Sequence, residues 1–81
     1  MQKKAQIALI INYMHQHLII HFSEVVDKAV VKIFTEDNRQ IDSFNVENED
    51  FIYYHLPLEK GSYQVKITKQ HIESIKSIIV N

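Results

Sequence analysis

The 81-residue sequence contains no cysteine and no tryptophan, and it has only one glycine and one proline. Without cysteine, the chain forms no disulfide, offers no thiolate for catalysis and has no thiolate ligand for a metal. It also lacks an apolar run of about 18 residues, so no part of it is expected to span a membrane as a helix. The length predicts a single domain over residues 1–81, small enough that a partner or a second copy would add to its stability.

A concentrated charge of one sign is also missing. Nine Lys and Arg residues nearly balance ten Asp and Glu residues, giving a formal net charge of -1, and both signs are scattered along the chain. Because nucleic-acid binding requires a concentrated basic face, we predict no nucleic-acid partner.

The apolar residues 5–11 are too few and too polar to predict a signal peptide, and no cleavage pattern follows them.

What the sequence does contain is a large share of β-branched and aromatic residues, which favours strands over helices. Hydrophobic residues make up 46% of the chain, and polar breaks interrupt them about every ten residues. We therefore predict an all-β antiparallel fold of about seven strands, as in a sandwich or a barrel. The predicted strands cover residues 6–12, 16–22, 28–36, 39–46, 50–56, 62–69 and 74–80.

Alternation of apolar and polar residues identifies the buried face of three of these strands. The expected core residues are Leu18, Ile20 and Phe22 in the second strand, Val31 and Ile33 in the third, and Tyr63, Val65 and Ile67 in the sixth. Between the third and fourth strands, Asp37 and Asn38 have the side chains of a hairpin turn. The pattern thus predicts both the core and one hairpin.

Two strands carry more apolar residues than one buried face requires. In the fifth strand Phe51 and Tyr53 share one face, while Ile52 and Tyr54 share the other, so one set is exposed unless a loop or the N-terminal segment covers it. Exposed tyrosine favours contact with a partner or with carbohydrate, and we mark Phe51, Tyr53 and Tyr54 as the candidate contact surface. The first strand is apolar on both faces over residues 7–11. It either pairs with a protein or with a second copy through its edge, or packs beside the last strand.

No motif points to catalysis, and we predict a chain without a cofactor that is not an enzyme. The only metal candidates are His15 and His17, two residues apart at the start of the second predicted strand; at that spacing in a strand, side chains lie about 7 Å from each other on one face. With a third ligand they would bind zinc or nickel; a solvated histidine face is the alternative. The acidic residues 47–50 lack the glycine and spacing of a calcium loop, so we expect a solvated turn there.

One sequence pattern is similar to that of a known family. Residues 29–41 predict a strand, a turn and a strand, and Leu58, Gly61, Tyr63, Val65 and Ile67 follow in a Leu-x-x-Gly-x-Tyr-x-Val-x-Ile pattern. Over residues 17–80 the chain resembles small bacterial immunoglobulin-like modules. Two groups share the pattern: small exported Bacteroidetes sandwich proteins of unknown function, and the C-terminal sorting domains of type IX secretion. Residues 76–81 of this chain also resemble the last strand of the sorting domains.

The resemblance implies an immunoglobulin-like antiparallel β-sandwich of about seven strands. It implies that Gly61 permits a tight turn and that the hydroxyl of Tyr63 bonds upstream backbone while the ring fills the core. It further implies a non-catalytic structural or protein-interaction module that is periplasmic, cell-surface or secreted. A sorting or attachment domain of a secreted protein is the alternative, and a metal-dependent hydrolase is the third hypothesis.

Overall fold

The computed structural model describes residues 8–81, and these form an all-β, antiparallel fold without helices. The five strands are β1 (Leu9–Met14), β2 (His17–Thr35), β3 (Gln40–His55), β4 (Gly61–Lys69) and β5 (Ile72–Val80). The predicted all-β class is therefore confirmed. The first two residues of the predicted first strand, 6 and 7, lie outside the described residues.

The number of strands differs from the predicted seven because two predicted breaks do not end a strand. The chain continues through residues 23–27 within β2 and through residues 47–49 within β3. Neither stretch contains glycine or proline, and the polar side chains that suggested turns are exposed on the outside of continuous strands. Each stretch carries an irregularity instead: β2 shifts register between His21 and Val26, and Asn48 in β3 has a φ of 54°.

The central strand β2 changes its neighbour at this register shift. Residues 17–22 pair with β1 on one edge, whereas residues 30–35 pair with β4 on that edge, and β3 lines the opposite edge of both stretches. Strand β5 completes the sheet beyond β4. We call β1 with residues 17–22 and 51–55 the first half-sheet, and the remaining strand residues of β2 to β5 the second half-sheet.

The two half-sheets enclose one hydrophobic core. Its buried residues are Leu18, Ile20, Phe22, Val26, Ala29, Val31, Ile33, Val46, Leu56, Val65, Ile67 and Ile78. All the aliphatic residues and the phenylalanine predicted for the core are among them, and Tyr63 packs against them half-buried. Alternation in strands of this length therefore located the core, because a strand's side chains point to opposite faces in turn.

Tight turns join neighbouring strands. His15 and Gln16, with φ of 53° and 63°, form the two-residue turn between β1 and β2. The predicted turn at Asp37 and Asn38 joins β2 to β3, with Asn38 at a φ of 66°. There the hydroxyl of Thr35 donates to the Asp37 carboxylate, which holds the pKa of Asp37 below its usual value, and the backbone of Asp37 adds to this effect.

Two tyrosine hydroxyls hold the connection between β3 and β4. Tyr13 donates to the carbonyl of Leu56 at 2.6 Å and accepts from the N–H of Leu58 at 3.1 Å. Tyr63 donates to the carbonyl of Glu59 at 2.8 Å, the upstream backbone contact that the resemblance implies for it. Gly61, at a φ of 153°, turns the chain into β4 in a conformation that other residues rarely adopt.

Candidate functional site

The outer face of the first half-sheet consists mainly of aromatic, histidine and aliphatic side chains. Cross-strand pairing arranges it in three rows: Met14, His17 and His55; Asn12, Ile19 and Tyr53; Ile10, His21 and Phe51. We call these residues the aromatic face. None of them is Asp, Glu, Lys or Arg.

The aromatic face arises from the same alternation that builds the core. Leu18, Ile20 and Phe22 point inward and are buried, so the residues between them must point outward. The exposed fraction is 65% for Ile10, 50% for Phe51 and 61% for Tyr53. Apolar residues of this size are exposed together, and such clusters mark interaction sites more often than scattered exposed residues do.

The rings on the aromatic face contact one another. His17 stacks on Tyr53, with ring centroids 4.2 Å apart and planes at 9°, and its centroid lies 5.0 Å from that of His55. His21 meets Phe51 edge to face, with centroids 6.0 Å apart. The Nδ1 atom of His17 also hydrogen-bonds the carbonyl of His15 at 2.8 Å. These contacts restrict the rotation of the side chains that make them.

The predicted contact surface is divided between two faces. Phe51 and Tyr53 lie on the aromatic face, but Tyr54 points inward and does not belong to it. The ring of Tyr54 stacks on Phe44 with centroids 4.0 Å apart, and its hydroxyl donates to Oδ2 of Asp42 at 3.0 Å. This pair of contacts joins the two ends of β3 across its bend. Desolvation raises the pKa of Tyr54, and the hydrogen bond and the charge of Asp42 raise it further.

The predicted metal candidates lie in different surroundings. His15 lies in the turn, whereas His17 begins β2 and is turned toward the rings of Tyr53 and His55. A surface hollow beside His15 is lined by Tyr13 and the C-terminal residues 79–81 and does not include His17. Within residues 8–81, no three His, Asp or Glu side chains are grouped so as to hold a metal ion. The acidic residues 47–50 are exposed within β3 rather than in a turn.

For the first strand, the structure has the second of the two predicted arrangements. Strand β1 lies beside β5, running in the same direction, since Ala8 shares a hollow with Ile72 and Met14 shares another with Val80. The edge of β1 that faces away from β2 is therefore next to β5. Over the part of the chain that is described, no helix has the length and apolar character needed to cross a bilayer.

Several residues of the aromatic face were not singled out from the sequence: Ile10, Met14, Ile19, His21 and His55. The alternation showed that His17, Ile19 and His21 share a face, but it could not show which other strands lie beside them. The missing information is register, because the face becomes visible only when Asn12, Ile19 and Tyr53 are placed in one row.

We predict that Tyr54 ionises above the ordinary tyrosine range of about 10. A raised pKa in the folded state means that the contribution of Tyr54 to stability is present below the pKa of the unfolded chain and is lost as the pH rises through the folded value. A spectrophotometric pH titration of the folded protein should show a late phenolate component that Tyr54→Phe removes. Persistence of that component in Tyr54→Phe, or its absence from the wild type, would contradict the assignment.

Comparison with protein-family models and with curated proteins finds no match to this chain. The resemblance to immunoglobulin-like modules therefore remains one of sequence pattern, from Leu58 to Ile67 and over residues 29–41. Function must accordingly be inferred from the geometry of the chain itself.

Proposed function

We propose that this chain is a non-catalytic protein-interaction module that contacts its partner through the aromatic face. The observation that carries the proposal is the exposure of Phe51 and Tyr53 beside Ile10 and Met14 on a surface without a charged side chain. When a partner covers such a surface, the free energy falls by about 25 cal/mol per Å² of apolar area that is removed from water.

The composition of the aromatic face suits a protein partner. The centres of protein interfaces are depleted in Lys, Glu and Asp and enriched in Tyr, Phe and Met, as this face is. Nucleic acid is a poor fit, because the face offers no Lys or Arg to neutralise phosphates. The contacts of His17 with Tyr53 and of His21 with Phe51 give the surface a fixed shape, which favours a specific partner.

We also propose that the fold is an immunoglobulin-like sandwich in which β2 and β3 each supply two consecutive segments. Counted this way, the chain has seven segments. Their spatial order is first, second, fifth in the first half-sheet and fourth, third, sixth, seventh in the second half-sheet. An immunoglobulin-like order supports this proposal, since its B strand likewise neighbours A and E while F lies between C and G. The contact of Tyr63 with Glu59 adds support, because it matches the tyrosine corner of such folds.

A charge placed in the middle of the aromatic face should abolish partner binding. Tyr53→Glu puts a carboxylate where a partner's apolar surface would exclude water, and we expect at least a tenfold loss of affinity, or about 1.4 kcal/mol. The matched control is Ile79→Glu, which alters a residue that is 68% exposed on β5, outside the face. Both variants should melt as the wild type does.

The binding test begins by comparing proteins captured from native-host extracts by the wild type and by both variants. Each candidate is then purified and titrated calorimetrically. A partner that binds wild type and Ile79→Glu equally but loses Tyr53→Glu supports the proposal. A partner that binds all three chains equally would contradict the role of the aromatic face, and turnover of a substrate by the purified chain would contradict a non-catalytic function.

We further propose that the module is exported, on the strength of the family resemblance. Fractionation of native-host cells, with an antibody against this domain, should find a species in the periplasm, at the cell surface or in the medium. A large precursor that loses the domain on reaching the surface would instead favour the sorting function, and a cytosolic species would contradict both.

A further inference from the structure

Strand β3 has an open edge along the described part of the chain. It pairs with β2 on one side, and within residues 8–81 it pairs with no other strand. An unpaired edge presents a row of backbone N–H and C=O groups to which another strand can add. The question is which part of this edge is suited to pairing.

The orientation of the backbone groups follows from one hydrogen bond. The N–H of Leu56 donates to the carbonyl of Gln16 at 2.8 Å, which makes these residues a hydrogen-bonded pair. Because the bonded pairs alternate along an antiparallel ladder, the backbone groups of Ile52 and Tyr54 also face β2. The backbone groups of Phe51, Tyr53 and His55, which alternate with these residues, point to the open edge. Residues whose side chains form the aromatic face thus also present free backbone groups.

Other edges of the described chain carry devices that oppose pairing. The outer edge of β5 lies next to β1, and Lys76 on β5, opposite buried Val65, occupies an inward-pointing position where a charge discourages a second strand. The first half of β3 has Asp42 in a comparable place, and the acidic residues 47–50 follow. Residues 51–55 carry no carboxylate, lysine, proline or bulge, so this stretch is the unprotected part of the edge.

We propose that two copies of the chain associate by antiparallel pairing of residues 51–55 of β3. This inference rests on the proposed function, since it names a second copy as a partner of the aromatic face. The pairing places Tyr53 opposite Tyr53 of the second copy and Phe51 opposite its His55. In that register every outward N–H and C=O group of Phe51, Tyr53 and His55 finds a partner, and the two-fold axis passes between the tyrosines.

The side chains of this stretch favour a second copy as the occupant. Residues 51–55 contain no Asp, Glu, Lys or Arg, so pairing the stretch with itself brings no like charges together. The register also places Phe51 opposite His55 of the second copy, a pairing of ring types that the chain already makes across strands between His21 and Phe51. Pairing joins the two aromatic faces into one continuous surface of six strands, with the stacked His17 and Tyr53 of each copy near the centre.

The size of the interface sets the expected strength. A stable dimer buries about 800 Å² per partner, and a paired stretch of five residues provides clearly less, so we expect a weak and reversible dimer. Sedimentation velocity from about 10 µM to about 1 mM spans the range in which such a complex forms. The average mass should rise from the monomer's 9.6 kDa toward twice that value. A constant monomer mass over this range would overturn the proposal.

Two substitutions at one position separate edge pairing from side-chain contact. Tyr53→Pro removes the outward N–H, which an edge strand tolerates, and should leave the chain monomeric at every concentration. Tyr53→Ala removes the ring but keeps the N–H, and should still dimerise, more weakly than the wild type. Equal loss of dimer in both variants would show that the ring alone drives association and would overturn the edge pairing.

The register has an independent test that does not depend on the folding of the proline variant. Cα atoms of a hydrogen-bonded antiparallel pair are about 5.5 Å apart, within the range for a disulfide, and the chain has no cysteine of its own. Under oxidation with diamide, Tyr53→Cys should cross-link rapidly, whereas Ser43→Cys, an exposed position on the other half of β3, should not. Equal rates would contradict the register.

These results remain distinct from the test of the proposed function. The wild type could stay monomeric while a purified heterologous partner binds it and fails to bind Tyr53→Glu. That result would reject the dimer and support the interaction module. If that partner were also lost in Tyr53→Pro but retained in Tyr53→Ala, its strand and not a second copy would occupy the edge of β3. That outcome would overturn the proposal of a dimer.

Discussion

The arrangement of this fold depends on the passage of β2 through residues 22–28 without a break. The register shift between His21 and Val26 lets one strand pair with β1 before it and with β4 after it. A turn in this place would divide β2 into two strands, one in each half-sheet. The bulge instead bends one continuous strand, so that the apolar inner faces of both half-sheets point to one core. Strand β3 follows the same bend, held by the contacts of Tyr54 with Phe44 and Asp42.

This bend explains which features could be predicted from the sequence. Alternation identified Leu18, Val31 and Val65 as core residues because a strand's period of two is a local property. The breaks expected within β2 and β3 were wrong because polar residues without glycine or proline allow either a turn or an exposed strand. The choice between these is made by tertiary pairing, which has no local signal.

The aromatic face and the open edge of β3 have a common origin in register. Tyr53 is outward because Tyr54 is inward, and the backbone groups of Tyr53 face the open edge because those of Tyr54 bond β2. The candidate site could therefore be predicted only as far as Phe51 and Tyr53, whereas the rows that bring His17, Ile19 and His21 beside them require knowledge of the neighbouring strands. A binding surface built from three strands is a property of their pairing.

The register of the first half-sheet is the claim on which this account most depends. Non-hydrogen-bonded antiparallel pairs bring their Cα atoms to about 4.5 Å, so their Hα atoms give strong nuclear Overhauser effects. A nuclear Overhauser spectrum of the protein should show Hα contacts between Ile19 and Tyr53 and between His17 and His55. Contacts from Ile19 to Ile52 or Tyr54 would mean a slip of one residue, which would turn Tyr53 inward and contradict both the aromatic face and the proposed edge pairing.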